Sequence, residues 1–497
     1  MKKTYIDTAM ERIAPDLILK GGNVVDVFSG RVIKADVIIK DGIICGVGSY
    51  SGENEQDVSG KYVMPGFIDS HVHIESSMTQ PSEYAKAVMP HGITTVIADP
   101  HEITNVCGED GLEFMLKSAK NIPLDVNLML PSCVPATPFE HTGANLDAKT
   151  TQKLAPKFFG IGEMMNYPGI VSGDDETLGK LCLDIIDGHA PLLSGHELDA
   201  YTSAGIKTDH ECSVVEEMTE KISKGMYILL REGTLSLDVA KLIKGVTPYT
   251  LRRCAFCTDD RFVGEIIRDG SIDHCIRKAV SLGLNNIDAI IMATLNACEM
   301  YGMKNKGAIA PSYVADIVVA DDLNLSSISQ VYKNGKLVCE NGTALFECET
   351  VDNSKVTNTV HLPKISADFF KTDVKDKFDA IELIPESIIT KKVTVSYSDS
   401  LSKVCVIERH HNLGTKGIGF VTNYGITNGA IATSIGHDSH NVIVIGDNDS
   451  DMALAVNTLG TSGGIAVCSE GKVIASMTLD IAGLMSVKSA DEVTREH

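Results

Sequence analysis

Hydrophobic positions in the first part of the chain fall in short Val- and Ile-rich runs, not in helical stripes. LILKGGNVVDV, ADVIIKDGIICGVG and KYVMPG, all within residues 17–64, are separated by Gly-Gly and Asp-Gly turns. That is the texture of consecutive β-strands. The same texture returns in ADIVVADD and VYKNGKLVCENG. The pattern predicts one small β-sandwich built from both flanks of a central insert, residues 1–66 and 305–345. Between them, over 67–304, apolar strands alternate with helical stretches, which implies βαβ units and a parallel sheet. Candidate strands are FIDSHVH, TTVIAD, VNLMLPS, FFGIGEM, DGHAPLL, GIKTDHE, MYILLRE and CAFCTDD. Eight of them suggest a TIM-like (β/α)8 barrel, although the fifth and sixth are short. Residues 346–497 open with the polar connector TVDNSKVTNTV and continue through KVTVSY, VCVIE and NVIVIGD with Gly-rich turns. They read as a C-terminal α+β domain. The predicted class is therefore α/β, a barrel with a flanking β-sandwich and a C-terminal domain. No internal repeat or low-complexity tract interrupts it.

Composition narrows the function classes. The 497 residues carry a formal net charge of -22, which disfavours a nucleic-acid partner, since backbone binding relies on clustered Lys and Arg. The 13 cysteines are odd in number and scattered, as expected of free thiols in a reducing compartment. The opening MKKTYIDTAMERIAPDL has no apolar segment behind its basic residues, and no apolar run has the length of a membrane span. A cytoplasmic enzyme with no membrane partner is expected.

The chemistry is concentrated at strand ends, where a barrel of this type builds its active site. In MPGFIDSHVH, side chains alternate across the strand, so His71 and His73 face the same way and can chelate one metal ion. Glu163 closes FGIGEM, and its two oxygens can each bind one cation. His189 in DGHAP, His210 in TDHE and Asp259 in CTDD end later strands, and neutral imidazole and carboxylate are ligands for Zn, Fe and Mn. Taken singly, each has a plain reading as a structural polar residue; their recurrence on successive strands sets them apart. Asp260 reads as a cap for the following helix. Asp99, His101, Glu102 and Arg231 also sit at strand ends, as substrate-pocket residues, an accessory metal site, or polar loop residues packing beside the centre. Glu102 is a candidate second proton carrier.

Other signals are weaker. His73-Ile74-Glu75 and Cys254-Ala255-Phe256-Cys257 match pieces of the zinc-deaminase signature, but Arg253 replaces its proline and the pieces lie in the first and last barrel strands. The run Asp447–Asp451 resembles a calcium loop, yet Met452 and Thr458 stand where Gly and Glu are needed; a helix N-terminus is the better reading. In GTSGG, a helix-like run precedes and a strand-like run follows, the reverse of a nucleophile elbow. There is no phosphate-binding loop. His437, Asp438 and His440, with His410 and His411, form either a further metal or pocket cluster or a structural one.

Several runs together resemble the amidohydrolase superfamily, and within it the bacterial adenine deaminases. They are PGFIDSHVHIESSM, GITTVIADPHEITNVCG, GIGEMMNYPGI, DGHAPLLSG, AGIKTDHE, LREGT, TLNACEMYGMKNKGAIAPSYVADIVVADDL and GAIATSIGHDSHNVIVIGDNDSDMA. The likeness spans about residues 17 to 486. It implies a binuclear centre, with His71 and His73 on one metal, His189 and His210 on the other, Glu163 bridging and Asp259 as the strand-eight aspartate. The cofactors would be two divalent ions, Mn or Fe, with Zn also compatible. The implied reaction belongs to purine salvage: water activated by the paired cations attacks C6 of adenine, giving hypoxanthine and ammonia, while Asp259 handles the proton. The partner would be a small-molecule purine base, in a homo-oligomer. Glu163 stands where many relatives outside this subgroup carry a carbamylated lysine, which favours the deaminase branch over hydantoinases and dihydroorotases. The competing readings are hydrolysis of guanine or a hydantoin-like ring, and a catalytically inactive scaffold, which would have no reason to keep the ligand set. Members of the family usually continue well past Ile481–Ser486, so the C-terminal domain is expected to be shortened, with an exposed sheet edge.

Overall fold

The computed structural model describes residues 2–373, 376–384, 389–396 and 401–497. Leu17–Asp26, Arg31–Lys40 and Ile43–Gly48 form an antiparallel meander. Its second turn is Asp41-Gly42, both at positive φ, the conformation that a two-residue hairpin loop requires. Tyr62–Pro65 lies beside Leu17–Asp26, and Ile317–Ala320 from the far flank pairs with it, Ile317 opposite Pro65. The two flanks thus join in one nine-stranded sheet.

Between them, eight parallel strands curl into a barrel: β1 (Phe67–Val72), β2 (Ile93–Ala98), β3 (Asp125–Leu130), β4 (Gly160–Met164), β5 (Ile186–Gly188), β6 (Thr208–Asp209), β7 (Tyr227–Arg231) and β8 (Cys254–Cys257). β1 to β5 and β6 to β8 are continuous ladders. They meet where Val72 bridges Asp259 and where β5 packs on β6. β1, β2, β4 and β8 are buried along their whole length, so their apolar residues fall on both faces and not on every second position. β5 and β6, three and two residues long, are as short as their weak pattern implied.

The C-terminal domain is an eight-stranded sheet covered by the helix Asp449–Thr458, with its own core around Cys405, Val442, Val444 and Met452. Asn448 caps that helix by accepting from the Asp451 amide at 2.8 Å, so the acidic run is a helix N-terminus. Of the strand-like run KVTVSY, Lys392–Ser396 lie in a strand and Tyr397 lies outside the described residues. The end strand Lys472–Thr478 leaves Val473 and Ile474 exposed.

Beyond it the chain returns to the barrel. Leu479, Ile481, Leu484 and Met485 join the barrel's core, and the Ser486 amide donates to the Met78 carbonyl at 2.8 Å. The last helix, Ala490–Glu496, opens in a capping box of Ser489 and Glu492 and packs on the helix Val263–Asp269. Among the described residues, no helix is long and apolar enough to cross a membrane.

Candidate metal centre

The strand ends converge. His71 lies in β1 and His73 just past it, and their Nε2 atoms are 3.2 Å apart. His73 Nδ1 is 2.8 Å from the Asp99 carbonyl. That contact requires the proton on Nδ1 and leaves the Nε2 lone pair facing the centre, the arrangement of a ligating histidine. His71 stacks on His210, with ring centroids 4.1 Å apart.

Glu163, in β4, is the hub. Its Oε1 lies 3.4 Å from His73 Nε2 and 3.3 Å from His101 Nδ1. Its Oε2 lies 2.7 Å from His189 Nδ1 and 3.2 Å from His210 Nε2. One carboxylate therefore faces two separate sets of imidazoles. The backbone behind it is held by Asp99, whose Oδ2 accepts from the Glu163 amide at 2.9 Å. Residue 162 must be glycine for this: a Cβ there would lie 2.1 Å from Asp99 Oδ2.

Asp259 follows β8 at positive φ, a conformation that aspartate tolerates better than most residues. Its amide donates to the His71 carbonyl and its carbonyl accepts from the His73 amide. This reciprocal pair aims Oδ1 at the histidines, 3.1 Å from His73 Nε2 and 3.5 Å from His71 Nε2. Arg231, ending β7, donates to Asp259 Oδ2 at 2.9 Å, to Asp238 Oδ2 at 3.1 Å and, through both Nη atoms, to Glu211. Its guanidinium is paired with three carboxylates, one of which is Asp259. Asp260 does not cap the next helix, as the sequence suggested: Phe262 holds that position, and Asp260 Oδ1 accepts from Ser76 Oγ instead. The cause is local, because the turn after Asp259 points Asp260 back towards the barrel mouth.

The electrostatics fit cations. Burial disfavours a charged His71, but Asp187 and Asp259 outweigh it and lift the ring to about 10. His189 is likewise opposed by burial and lifted, mainly by Glu163, to about 9. Burial works against the charge of Glu163, yet His189 and His210 hold its carboxyl well below the usual range. Asp259 is lowered in the same way, against burial, by His71, His73 and Arg231. A buried pocket that draws positive charge this strongly, lined by imidazole nitrogens and carboxylate oxygens, suits divalent ions of the Mn, Fe and Zn type. The donor atoms of His71, His73 and Glu163, of His71, His210 and Asp259, and of Glu163, His189 and His210 form three sets, each within 4.8 Å.

Sequence reasoning missed three acidic residues around this centre. Asp187, held by Thr208 Oγ1 at 2.7 Å and Tyr301 Oη at 2.9 Å, faces His71 Nδ1 at 3.6 Å. Glu211 lies 3.6 Å from His210 Nε2 and binds Arg231. Asp69 accepts from the Thr258 amide at 3.0 Å, tying β1 to β8. Each adjoins a recognised strand-end residue, which was the available signal. His410 and His411 do not join the centre: their Nε2 atoms meet the carbonyls of Ser439 at 2.8 Å and Thr142 at 2.9 Å. A cavity of about 720 Å³ opens beside the centre, bounded by Ser132, Met164, Asn166, Lys180 and the loop 135–145. It reaches the residue next to Glu163 but none of the six candidate ligands.

The amidohydrolase family profile matches residues 62–338, and that of the adenine deaminase C-terminal domain matches 383–497. An adenine deaminase of Clostridium acetobutylicum is 47% identical over an alignment covering 98% of this chain and 89% of that protein. One from Nitratidesulfovibrio vulgaris is 44% identical, covering 98% and 88%, and one from Halalkalibacterium halodurans is 44% identical, covering 97% and 87%. Among solved structures, an enamidase described as a member of the amidohydrolase superfamily superposes with a TM-score of 0.51 at 19% identity, covering 66% of this chain and 96% of that one. That likeness concerns the fold alone.

Proposed function

The chain belongs to the amidohydrolase family, and from that premise we propose that it hydrolyses adenine to hypoxanthine and ammonia on a two-cation centre. The observation that carries the reading is Glu163, whose two oxygens face His73 on one side and His189 and His210 on the other. His71 and His73 would hold one ion, His189 and His210 the other, with Glu163 between them and Asp259 completing the first set. Mn or Fe is the proposed pair, with Zn as an alternative; the donors accept all three, so availability decides. Bound there, two cations lower the pKa of a water towards neutrality and polarise the ring being attacked.

The chain's own groups do the rest. Asp259 enters as a base, because the Arg231 guanidinium on its Oδ2 favours the ionised carboxylate against burial. It accepts the proton of the attacking water and returns it to N1 or to the departing amine. Arg231 fixes the Oδ2 edge, so that Oδ1 is the atom that exchanges the proton. Glu102 would carry the second proton, a reading supported by its carboxylate lying within 4.8 Å of the ligand atoms of His73 and His101. Asp99 and His101 brace Glu163 from behind and from the side. A neutral purine has no charge for the acidic surface to repel, so a net charge of -22 does not oppose it.

The test is to strip the protein of metal, reload it with Mn, Fe(II) or Zn, and measure ammonia released from adenine and guanine, and ring opening of hydantoin to its N-carbamoyl acid. Two ions per chain with ammonia from adenine is the expected result. A loaded protein that releases none from adenine rejects the substrate; one that prefers guanine or hydantoin reassigns it.

A further inference from the structure

The loop between the strands Gly429–Thr433 and Val442–Gly446 leaves the C-terminal sheet and reaches the barrel mouth. His437 Nδ1 lies 3.3 Å from Glu102 Oε1, and Asp438 Oδ1 lies 3.7 Å from His101 Nε2. His440 is fully buried; its Nε2 has no hydrogen-bond partner and faces Glu102 Oε2 at 4.0 Å. The tautomer of His440 is set from behind, because Nδ1 accepts the Gly436 amide at 3.3 Å. Nε2 then carries the proton and points it at Glu102. That tautomer argues against His440 as a metal ligand, since ligation needs the lone pair at Nε2.

The loop is anchored on both domains. Arg409 donates to the His440 carbonyl, and to that of Ala482 at 2.9 Å. Asn441 Nδ2 reaches the His141 carbonyl on the barrel at 2.8 Å. His410 meets the Ser439 carbonyl. On the barrel side, both ring nitrogens of His101 lack a hydrogen-bond partner, and the carboxylates that face the ring are Glu163 and Asp99 at Nδ1 and Asp438 at Nε2. His437 is 40% exposed.

We propose that this loop is part of the catalytic site: His437 and His440 position Glu102, and Asp438 positions His101 beside Glu163. The C-terminal domain would then be needed for turnover and not for stability alone. This rests on the deaminase reading above.

The test uses the full chain loaded with Mn, comparing His437→Ala, His437→Gln, Asp438→Ala and Asp438→Asn with wild type. The expected result is a kcat at least about 10-fold lower in both Ala variants, with KM within about threefold. Metal content and melting midpoint should stay at the wild-type level. His437→Gln should recover much of the loss, because its amide can still donate to Glu102. Wild-type kcat in both Ala variants would overturn the proposal. So would a loss of metal in step with activity, or a Gln variant no better than Ala. If the wild-type chain releases no ammonia from adenine, the deaminase reading has failed on its own account, and the loop is judged by the Mn(II) EPR line shape. A line shape altered in Asp438→Ala supports contact with the centre; identical spectra overturn it.

Discussion

Arg231 holds Asp259 from the side opposite the histidines: Nη1 donates to Oδ2 at 2.9 Å, while Oδ1 faces His73 Nε2 at 3.1 Å. Both side chains are buried, and the same guanidinium reaches Asp238 and Glu211. A lysine carries the charge but cannot span three carboxylates in this fork. Arg231→Lys should therefore lower kcat by about 10- to 100-fold and destabilise the chain by about 3 kcal/mol through the imperfectly paired buried charges. Ammonia release and thermal melting read the two effects separately. Wild-type kcat in this variant would detach Arg231 from the reaction.

Glu163 faces both histidine sets, so its removal should empty the centre and not merely slow it. Glu163→Gln keeps the shape but loses the charge that draws cations. Bound metal should fall to one ion per chain or fewer, and activity by at least about 100-fold. Metal analysis beside the ammonia assay decides. Two retained ions would mean that Glu163 does not lie between them.

Gly162 tests the same arrangement from the backbone. A methyl group there would sit 2.1 Å from Asp99 Oδ2, the atom that accepts the Glu163 amide. Both neighbours are fixed inside the barrel, so Gly162→Ala should cost about 1–3 kcal/mol and reduce metal content by displacing Glu163. A variant with unchanged melting and unchanged metal would show that Asp99 can move aside freely.

These relationships differ in how far the sequence discloses them. The barrel strands are legible because burial on both faces makes short segments rich in apolar residues, and the ligands are legible because they lie in or just after the C-terminal ends of such segments. β5 and β6 were recognisable mainly through the histidines that follow them, His189 and His210. The partners of Arg231 were not, since no local period links it to Glu211 or Asp238. The docking of His437 and Asp438 on Glu102 and His101 was least visible: it is a contact between two domains, and its residues sit in irregular loops where neither a period of 2 nor one of 3.6 applies. The return of Leu484 and Met485 to the barrel core is hidden for the same reason.

His410 gives the C-terminal domain a pH dependence with a definite sign. Burial, helped by the Arg409 charge, holds this histidine down to about 4. The unfolded chain binds the proton near the ordinary value of about 6.5, so between those values the unfolded state holds more protons than the folded one. The stability that neutral His410 contributes is present above about 6.5 and is lost as the pH falls towards 4, with a total of about 3 kcal/mol. Urea midpoints from pH 7 to pH 4 should fall steeply in wild type and less steeply in His410→Asn. Parallel slopes for the two proteins would remove His410 as the cause.

Arg409 separates anchoring of the loop from stability. It is fully buried, and its donors go to Thr359 Oγ1 and to the carbonyls of His440 and Ala482. Burial holds its guanidinium down to about 10, a cost to the charged form of about 3 kcal/mol. Arg409→Met removes that cost but leaves two buried carbonyls short of a donor, at about 1–3 kcal/mol each. The two effects oppose each other, as replacements of buried charges by apolar residues often do, so the melting midpoint should move little. The His440 carbonyl, however, loses the bond that fixes the loop over Glu102. The expected outcome is a near-normal midpoint with kcat lowered about 10-fold and metal content unchanged. A large drop in the midpoint with kcat per folded molecule preserved would mean that Arg409 supports the domain and not the loop's hold on Glu102.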